Sequence, residues 1–174
     1  MSGVHPTPFG TALAMLARRA LTVHELRTRL ARRGIDPIEI ESALVRLQSS
    51  RLVDDQSLAY NHARGRAEQG RVGPHRVEQE LKARGIGDAL AREAVSDAFG
   101  PADLAAALRR AVTRVGGSAA PATWDPAARN RLARRLIRRG FPAGLVMNTL
   151  SEPIGSEDDQ FTPLPIEDET DAIP

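Results

Sequence analysis

A six-residue motif that recurs three times constrains the fold of this chain more than any other feature. A leucine, three residues, a glycine and a large apolar residue return in that order as LARRGI at 30–35, LKARGI at 81–86 and LIRRGF at 136–141. The motif glycines lie 51 and 55 residues apart. Repetition at such a period is typical of a small structural unit that is copied along the chain.

The apolar spacing around each motif predicts helices. Another aliphatic residue precedes each motif leucine by four positions, at Leu26, Val77 and Leu132. This i, i+4 spacing places both side chains on one face of a helix. A second apolar stripe follows each glycine, and a third helical segment precedes each pair, at about residues 10–20, 55–69 and 101–115. We therefore expect an all-α protein, an elongated tandem array of three three-helix repeats.

The repeat divides the chain into five segments. We expect a flexible N-terminus, three three-helix repeats and a disordered acidic C-terminal tail, at residues 1–9, 10–53, 54–100, 101–151 and 152–174. The tail combines eight acidic residues with four prolines and has no basic residue. Such a composition buries too little apolar surface to offset the entropy of ordering the chain.

Helix capping explains the fixed positions of the motif. If the glycine is the residue just past the helix end, the leucine and the last apolar residue occupy the two positions that touch in a Schellman cap. Glycine enters the required left-handed conformation without a steric penalty. The predicted cap residues are Leu30, Gly34 and Ile35, then Leu81, Gly85 and Ile86, and finally Leu136, Gly140 and Phe141.

Charge divides the chain into a basic body and an acidic tail. All 24 basic residues lie at or before Arg139, and 14 of the 22 acids lie before residue 152, so the body carries 24 − 14 = +10 and the tail −8. A basic body points to nucleic acid or to an acidic protein surface, although an evenly solvated surface explains the charge equally well. Because the chain has no cysteine and no long apolar run, we expect a cytoplasmic protein that does not enter membranes. We also expect a monomer.

Longer stretches around the motifs resemble the RecX regulatory family. They are LTVHELRTRLARRGI, then LVDDQSLAYNHARGRAEQGRVGPHRVEQELKARGI, and RLARRLIRRGF. The resemblance covers about residues 11–151 and is most specific between Leu52 and Leu81. It implies a body that binds the groove of a RecA filament on DNA. Filament growth, ATPase, strand-exchange and co-protease activities would then be lowered, with effects on recombination, DNA repair and the SOS response.

Arginines are the candidate binding residues. One face of the third motif helix carries four of them, opposite an apolar face that includes Ile137, and guanidinium groups suit phosphate or carboxylate. A solvated face is the competing explanation for these residues, as are helix ends and caps for the others. The candidates are Arg131, Arg134, Arg135 and Arg138, then Arg64, Arg66 and Arg71 in the second repeat, and Arg32 and Arg33 in the first.

Neither catalysis nor a cofactor is expected. The pair Asp54 and Asp55 stands alone and suits a helix N-cap better than a metal site. The four histidines have no ligand spacing, and no phosphate-binding loop or nucleophile motif occurs. We therefore predict a non-enzymatic regulator without metal or cofactor.

Two hypotheses about function remain, a filament-binding regulator and a stand-alone DNA-binding module built from helix-turn-helix-like units. Scarce aromatic residues make any DNA contact mainly electrostatic.

Overall fold

The computed structural model describes residues 7–116 and 125–151, which form nine α-helices and no strand. Consecutive groups of three helices make up the three predicted units. In chain order the helices are α1 (Pro8–Leu16), α2 (Val23–Ala31), α3 (Pro37–Ser49), α4 (Asp55–Gln69), α5 (Pro74–Ala83), α6 (Asp88–Ala98), α7 (Pro101–Gly116), α8 (Pro126–Arg138) and α9 (Ala143–Ser151).

Local signals set where several of these helices begin. Thr22 and Glu25 form a capping box at the start of α2, and the side chain of Asp125 accepts the backbone N–H of Ala128 at the start of α8. The predicted flexible N-terminus at 1–9 was wrong at its last residues, because α1 begins at Pro8. Thr7 caps this helix, a Thr-Pro start signal that the apolar spacing alone does not reveal. The predicted acidic tail lies outside the described residues.

All three motifs form the same helix cap. The amide of the last apolar residue donates to the carbonyl of the motif leucine, and the three glycines have φ of 75°, 83° and 91°. These are the bonds and the left-handed residue of a Schellman cap. The N···O distances are 3.5 Å from Ile35 to Leu30, 3.1 Å from Ile86 to Leu81 and 3.3 Å from Phe141 to Leu136.

The apolar core is divided unequally among the units. The first unit has a core of its own, built around Leu26, Leu30, Leu44 and Leu47. The second and third units share one continuous core, in which α4 packs against both α6 and α7. The array therefore consists of one separately packed unit followed by a fused pair.

A polar joint connects the first unit to the second. The hydroxyl of Thr22 donates to the carbonyl oxygen of Arg84 at 2.6 Å. The Arg84 guanidinium in turn donates to the Glu25 carboxylate at 3.3 and 3.1 Å and to the carbonyl of Ala20 at 3.1 Å. Burial alone would raise the pKa of Glu25, but hydrogen bonds from Arg84 and from the Thr22 amide hold that pKa below its usual value. The first turn of α2 therefore contacts the cap at the C-terminal end of α5.

The second joint uses the same acceptor as the first, the carbonyl of the residue before the motif glycine, but its donors are backbone amides. The amide of Gly73 donates to the carbonyl of Arg139 at 2.8 Å, and the amide of His75 donates to that of Gly140 at 3.2 Å. Thr22 and Gly73 each stand twelve residues before the motif glycine of their own unit. In both joints the start of one unit's middle helix therefore meets the cap of the next unit's middle helix.

Candidate arginine-rich binding sites

The face of α8 presents four arginines to solvent. The helix buries Leu132, Ala133 and Leu136 against the core. Ile137, expected on the buried face, is 39% exposed and borders that face. The arginines Arg131, Arg134, Arg135 and Arg138 are exposed, and no ion pair or side-chain hydrogen bond joins them to another residue of 7–116 or 125–151. Their positive charge is therefore left for solvent or a partner.

Three of these four arginines border two depressions on the surface. Arg131 and Arg135 lie beside Val115 and Gly116 at the end of α7. Arg138 lies at the joint between units, in a depression that also includes His75, Arg76 and Gln79 of the second unit. The basic face of α8 thus extends across the boundary between the third unit and the second.

The second unit places its three candidate arginines differently. Arg66 donates to both carboxylate oxygens of Glu80 at 2.8 Å, and His62 lies 3.0 Å from the same carboxylate. Burial would raise the pKa of Glu80, but hydrogen bonds from Arg66 and His62 lower it. Arg66 thus ties α4 to α5, a structural role that the sequence did not indicate. Arg64 is exposed and lies 3.8 Å from Asp97, and Arg71 is exposed.

The first unit brings its two candidates into a larger basic groove. Arg32 and Arg33 are exposed and line a groove together with three further arginines, and Met15 contributes its apolar side. The further arginines are Arg18, Arg19 and Arg29. Sequence reasoning missed these three, although Arg29, Arg32 and Arg33 have the i, i+3, i+4 spacing of one helix face.

The paired aspartates at the start of α4 serve the backbone. Asp54 accepts the amide of Ser57 at 2.9 Å as an N-cap, and Asp55 accepts the amide of Val23 across the first joint at 3.0 Å. Within the described ranges, no group of three or more His, Asp or Glu side chains is arranged to hold a metal ion.

No helix in the described ranges is long and apolar enough to cross a membrane.

Fold and surface together define a class, an all-α protein of tandem three-helix units that exposes clusters of arginines. Family models for the first and second three-helix domains of RecX match residues 9–47 and 54–95. "Regulatory protein RecX" of Halorhodospira halophila is 38% identical over 152 residues, which are 87% of this chain and 90% of that protein. The Syntrophotalea carbinolica protein of the same name is 34% identical over 83% of this chain and 94% of its own. The chain belongs to the RecX family of regulatory proteins.

Solved structures of two RecX proteins have the same fold. A crystal structure of regulatory protein RecX superposes with a TM-score of 0.73 at 19% identity, over 83% of this chain and 72% of the other. RecX from Lactobacillus salivarius gives a TM-score of 0.68 at 18% identity, over 83% of this chain and 92% of the other. The tandem arrangement of three-helix units is therefore common to these proteins.

Proposed function

We propose that this chain is a cytoplasmic, monomeric regulator that binds RecA filaments on DNA and lowers their extension, ATPase, strand-exchange and co-protease activities. Membership of the RecX family supports a regulatory role without catalysis. The structural observation that carries the proposal is the α8 face, whose four arginines lack a carboxylate partner among the described residues. Guanidinium groups in such a row bind carboxylates or phosphates through charge-assisted hydrogen bonds.

The tandem fold supports a filament as the partner. A row of joined units can contact neighbouring subunits of a filament at several points. Each contact raises the effective concentration of the next, so that individually weak arginine contacts add to a useful affinity. A chain bound in this way obstructs either the motions of ATP turnover or the addition of subunits at a filament end.

A stand-alone DNA-binding module is the second candidate function. It is favoured by the same exposed arginines, because phosphates accept guanidinium hydrogen bonds as readily as carboxylates do. In this case the chain would act by occupying DNA, and its effect would decline steeply with salt as counterions compete for the phosphates.

Titration of RecA-dependent ATP hydrolysis on single-stranded DNA separates the two functions. Filament binding predicts that hydrolysis slows when the chain is present in far smaller amounts than its possible DNA sites. It also predicts that excess competitor DNA without RecA leaves the inhibition in place. Inhibition that requires DNA saturation and disappears with competitor DNA would instead favour the DNA-binding module.

A matched pair of variants tests the α8 face in the same assay. We expect Arg134→Ala with Arg138→Ala to weaken inhibition about tenfold or more, because each lost charge-assisted contact contributes on the order of 1.5–3 kcal/mol. The control replaces Arg92 and Arg109, exposed residues of α6 and α7, and removes the same charge. Equal inhibition by the two double variants would exclude the α8 face as the binding site.

A further inference from the structure

The cap at the end of α2 in the first unit resembles the two caps that form joints between units, but no other described unit lies against it. We call this open cap a half-joint. In units two and three, the cap of the middle helix receives the start of the preceding unit's middle helix. A Cβ atom added at Gly85 would lie 2.3 Å from the Cβ of His24, and one added at Gly140 would lie 2.4 Å from the amide nitrogen of Arg76. A Cβ added at Gly34 would meet nothing within 4 Å. The equivalent cap of the first unit is therefore open.

The open cap retains the acceptor that its counterparts use. Arg33 corresponds to Arg84 and Arg139, whose carbonyl oxygens accept hydrogen bonds from Thr22 and Gly73. No donor within the described ranges reaches the carbonyl of Arg33. A hydroxyl or amide donor from outside the unit would complete this bond.

The open cap also lacks the carboxylates that its counterpart contains. The first and second units superpose in sequence at an offset of 51 residues, which pairs the fully buried Ala12 with the fully buried Ala63. At this offset Arg29 stands where the second unit has Glu80, the acid that binds Arg66. Arg33 stands where Arg84 binds Glu25 of the preceding unit.

The groove of the first unit consequently has an unbalanced positive charge. Among the described residues, its five arginines form one ion pair, from Arg19 to Glu25 at 3.3 Å. Glu25 is shared with Arg84 across the joint. The other four arginines have no carboxylate partner among the described residues and are available to an anion from outside the unit.

We propose that this half-joint is a docking site for the first turn of a helix from a partner protein. The helix would have a serine or threonine N-cap and a glutamate three residues later, as α2 has in the first joint. The hydroxyl would donate to the carbonyl of Arg33, and the carboxylate would accept from its guanidinium. Arg18, Arg29 and Arg32 would bind further acids around it. This inference concerns a different surface from the α8 face and does not depend on RecA as the partner.

The first turns of α8 and α2 in a second copy of this chain do not match the open cap. The N-cap of α8 stands fifteen residues before its motif glycine, compared with twelve for Thr22 and Gly73, so α8 begins about one turn earlier. The third helical residue of α8 is Ala128, which supplies no carboxylate. The first turn of α2, which has the right residues, is already occupied in the joint with Arg84.

Nucleic acid is a poorer match than a helix turn. A phosphodiester satisfies arginines, but it has no proton to donate to the open carbonyl of Arg33 at neutral pH. A capped helix turn offers both a donor and a carboxylate in one rigid element. The combination of an open acceptor and guanidinium groups without carboxylate partners therefore favours a capped helix turn over the phosphate backbone of DNA.

A stapled helical peptide tests the proposal. The probe has the sequence of residues 20–30 with Arg27→Ala and Arg29→Ala, which keeps the Thr22 and Glu25 turn. It is titrated into ¹⁵N-labelled full-length chain at physiological salt. We expect amide shifts concentrated between Arg29 and Ile35. Arg33→Ala in the protein, or Glu25→Gln in the peptide, should weaken binding about tenfold. Arg109→Ala, which removes the same charge from α7, should leave binding unchanged.

Three results would overturn the proposal. The first is the absence of localised shifts, or equal binding of the peptide with and without the Glu25→Gln substitution. The second is displacement of the peptide by a single-stranded oligonucleotide that shifts the same amides and is equally sensitive to Arg33→Ala, which would make the groove a phosphate site. The third is that the peptide binds only after the residues following Ser151 are removed, which would make the acidic tail the occupant of the groove.

Discussion

The three motif glycines share a backbone conformation but differ in their neighbours. Each has φ between 75° and 91°, so each needs the conformational freedom of glycine for the cap. Only two of them also lie against another unit. The sequence predicts the first requirement from the spacing of leucine and glycine. It does not predict the second, because nothing in a single motif indicates which unit will lie against it.

Alanine substitution should separate these two requirements. We expect Gly34→Ala to lower the free energy of unfolding by about 1–2 kcal/mol, the usual penalty for a side chain in the left-handed conformation. Gly85→Ala and Gly140→Ala should lower it further, because the new Cβ would collide with His24 or with the backbone of Arg76. Denaturant unfolding measures all three. Equal losses would show that the joints do not pack as closely as described.

At the scale of elements, the joint between α2 and α5 is mainly polar. Arg84 is its central side chain, with three hydrogen bonds to Glu25 and Ala20. Motif spacing predicted that α2 and α5 would form, but these contacts join residues 59 to 64 positions apart. Sequence reasoning therefore assigned the arginines beside the motif glycine to capping or binding, and missed that Arg84 connects two units.

Removal of the Arg84 guanidinium should loosen this joint selectively. Arg84→Met keeps much of the apolar stem and leaves Glu25 without its cross-unit donor. We expect the first unit to lose about 1.5–3 kcal/mol of stability against local opening. Hydrogen exchange measures the change as faster exchange at buried amides of α2 and α3, with α6 and α7 little affected. Arg92→Met is the control, and uniform acceleration in all units would contradict the polar-joint account.

Acid should weaken the same contacts. The pKa values of Glu25 and Glu80 are lowered in the folded chain, so their stabilisation is present above the ordinary value of 4.5 and is lost as pH falls through the lower folded values. Burial raises the pKa of Asp55, which works in the opposite direction. We expect the unfolding temperature to decrease as the pH is lowered below about 4.5. The double variant Glu25→Gln with Glu80→Gln should show a shallower decline, and an unchanged slope would contradict this assignment.

At the scale of the whole molecule, the repeat predicts the three-unit architecture but not how the apolar core is divided among the units. Three copies of one motif were sufficient to predict three three-helix units in a row. The structure adds that the second and third units share one core and that the first is packed separately. This asymmetry follows from which apolar residues meet between α4 and α7, a long-range contact that the helical period does not encode.

The candidate sites were predictable only in part. Four arginines at helical spacing on α8 indicated an exposed basic face, since their positions follow directly from the period of the helix. The groove of the first unit was not predictable in full, because Arg18 and Arg19 follow α1 whereas Arg29 lies on α2. Residues from separate elements converge there through packing. Arg66 shows the reverse case, where a candidate binding residue pairs with an acid inside its own unit.

Co-sedimentation with RecA filaments on single-stranded DNA tests the central claim most directly. The measurement compares the unmodified chain with Arg134→Ala/Arg138→Ala and with the charge-matched Arg92→Ala/Arg109→Ala. The account predicts saturable binding to filaments beyond that to DNA alone, weakened about tenfold by the α8 substitutions and little by the control. Binding that is no stronger to filaments than to bare DNA would contradict it.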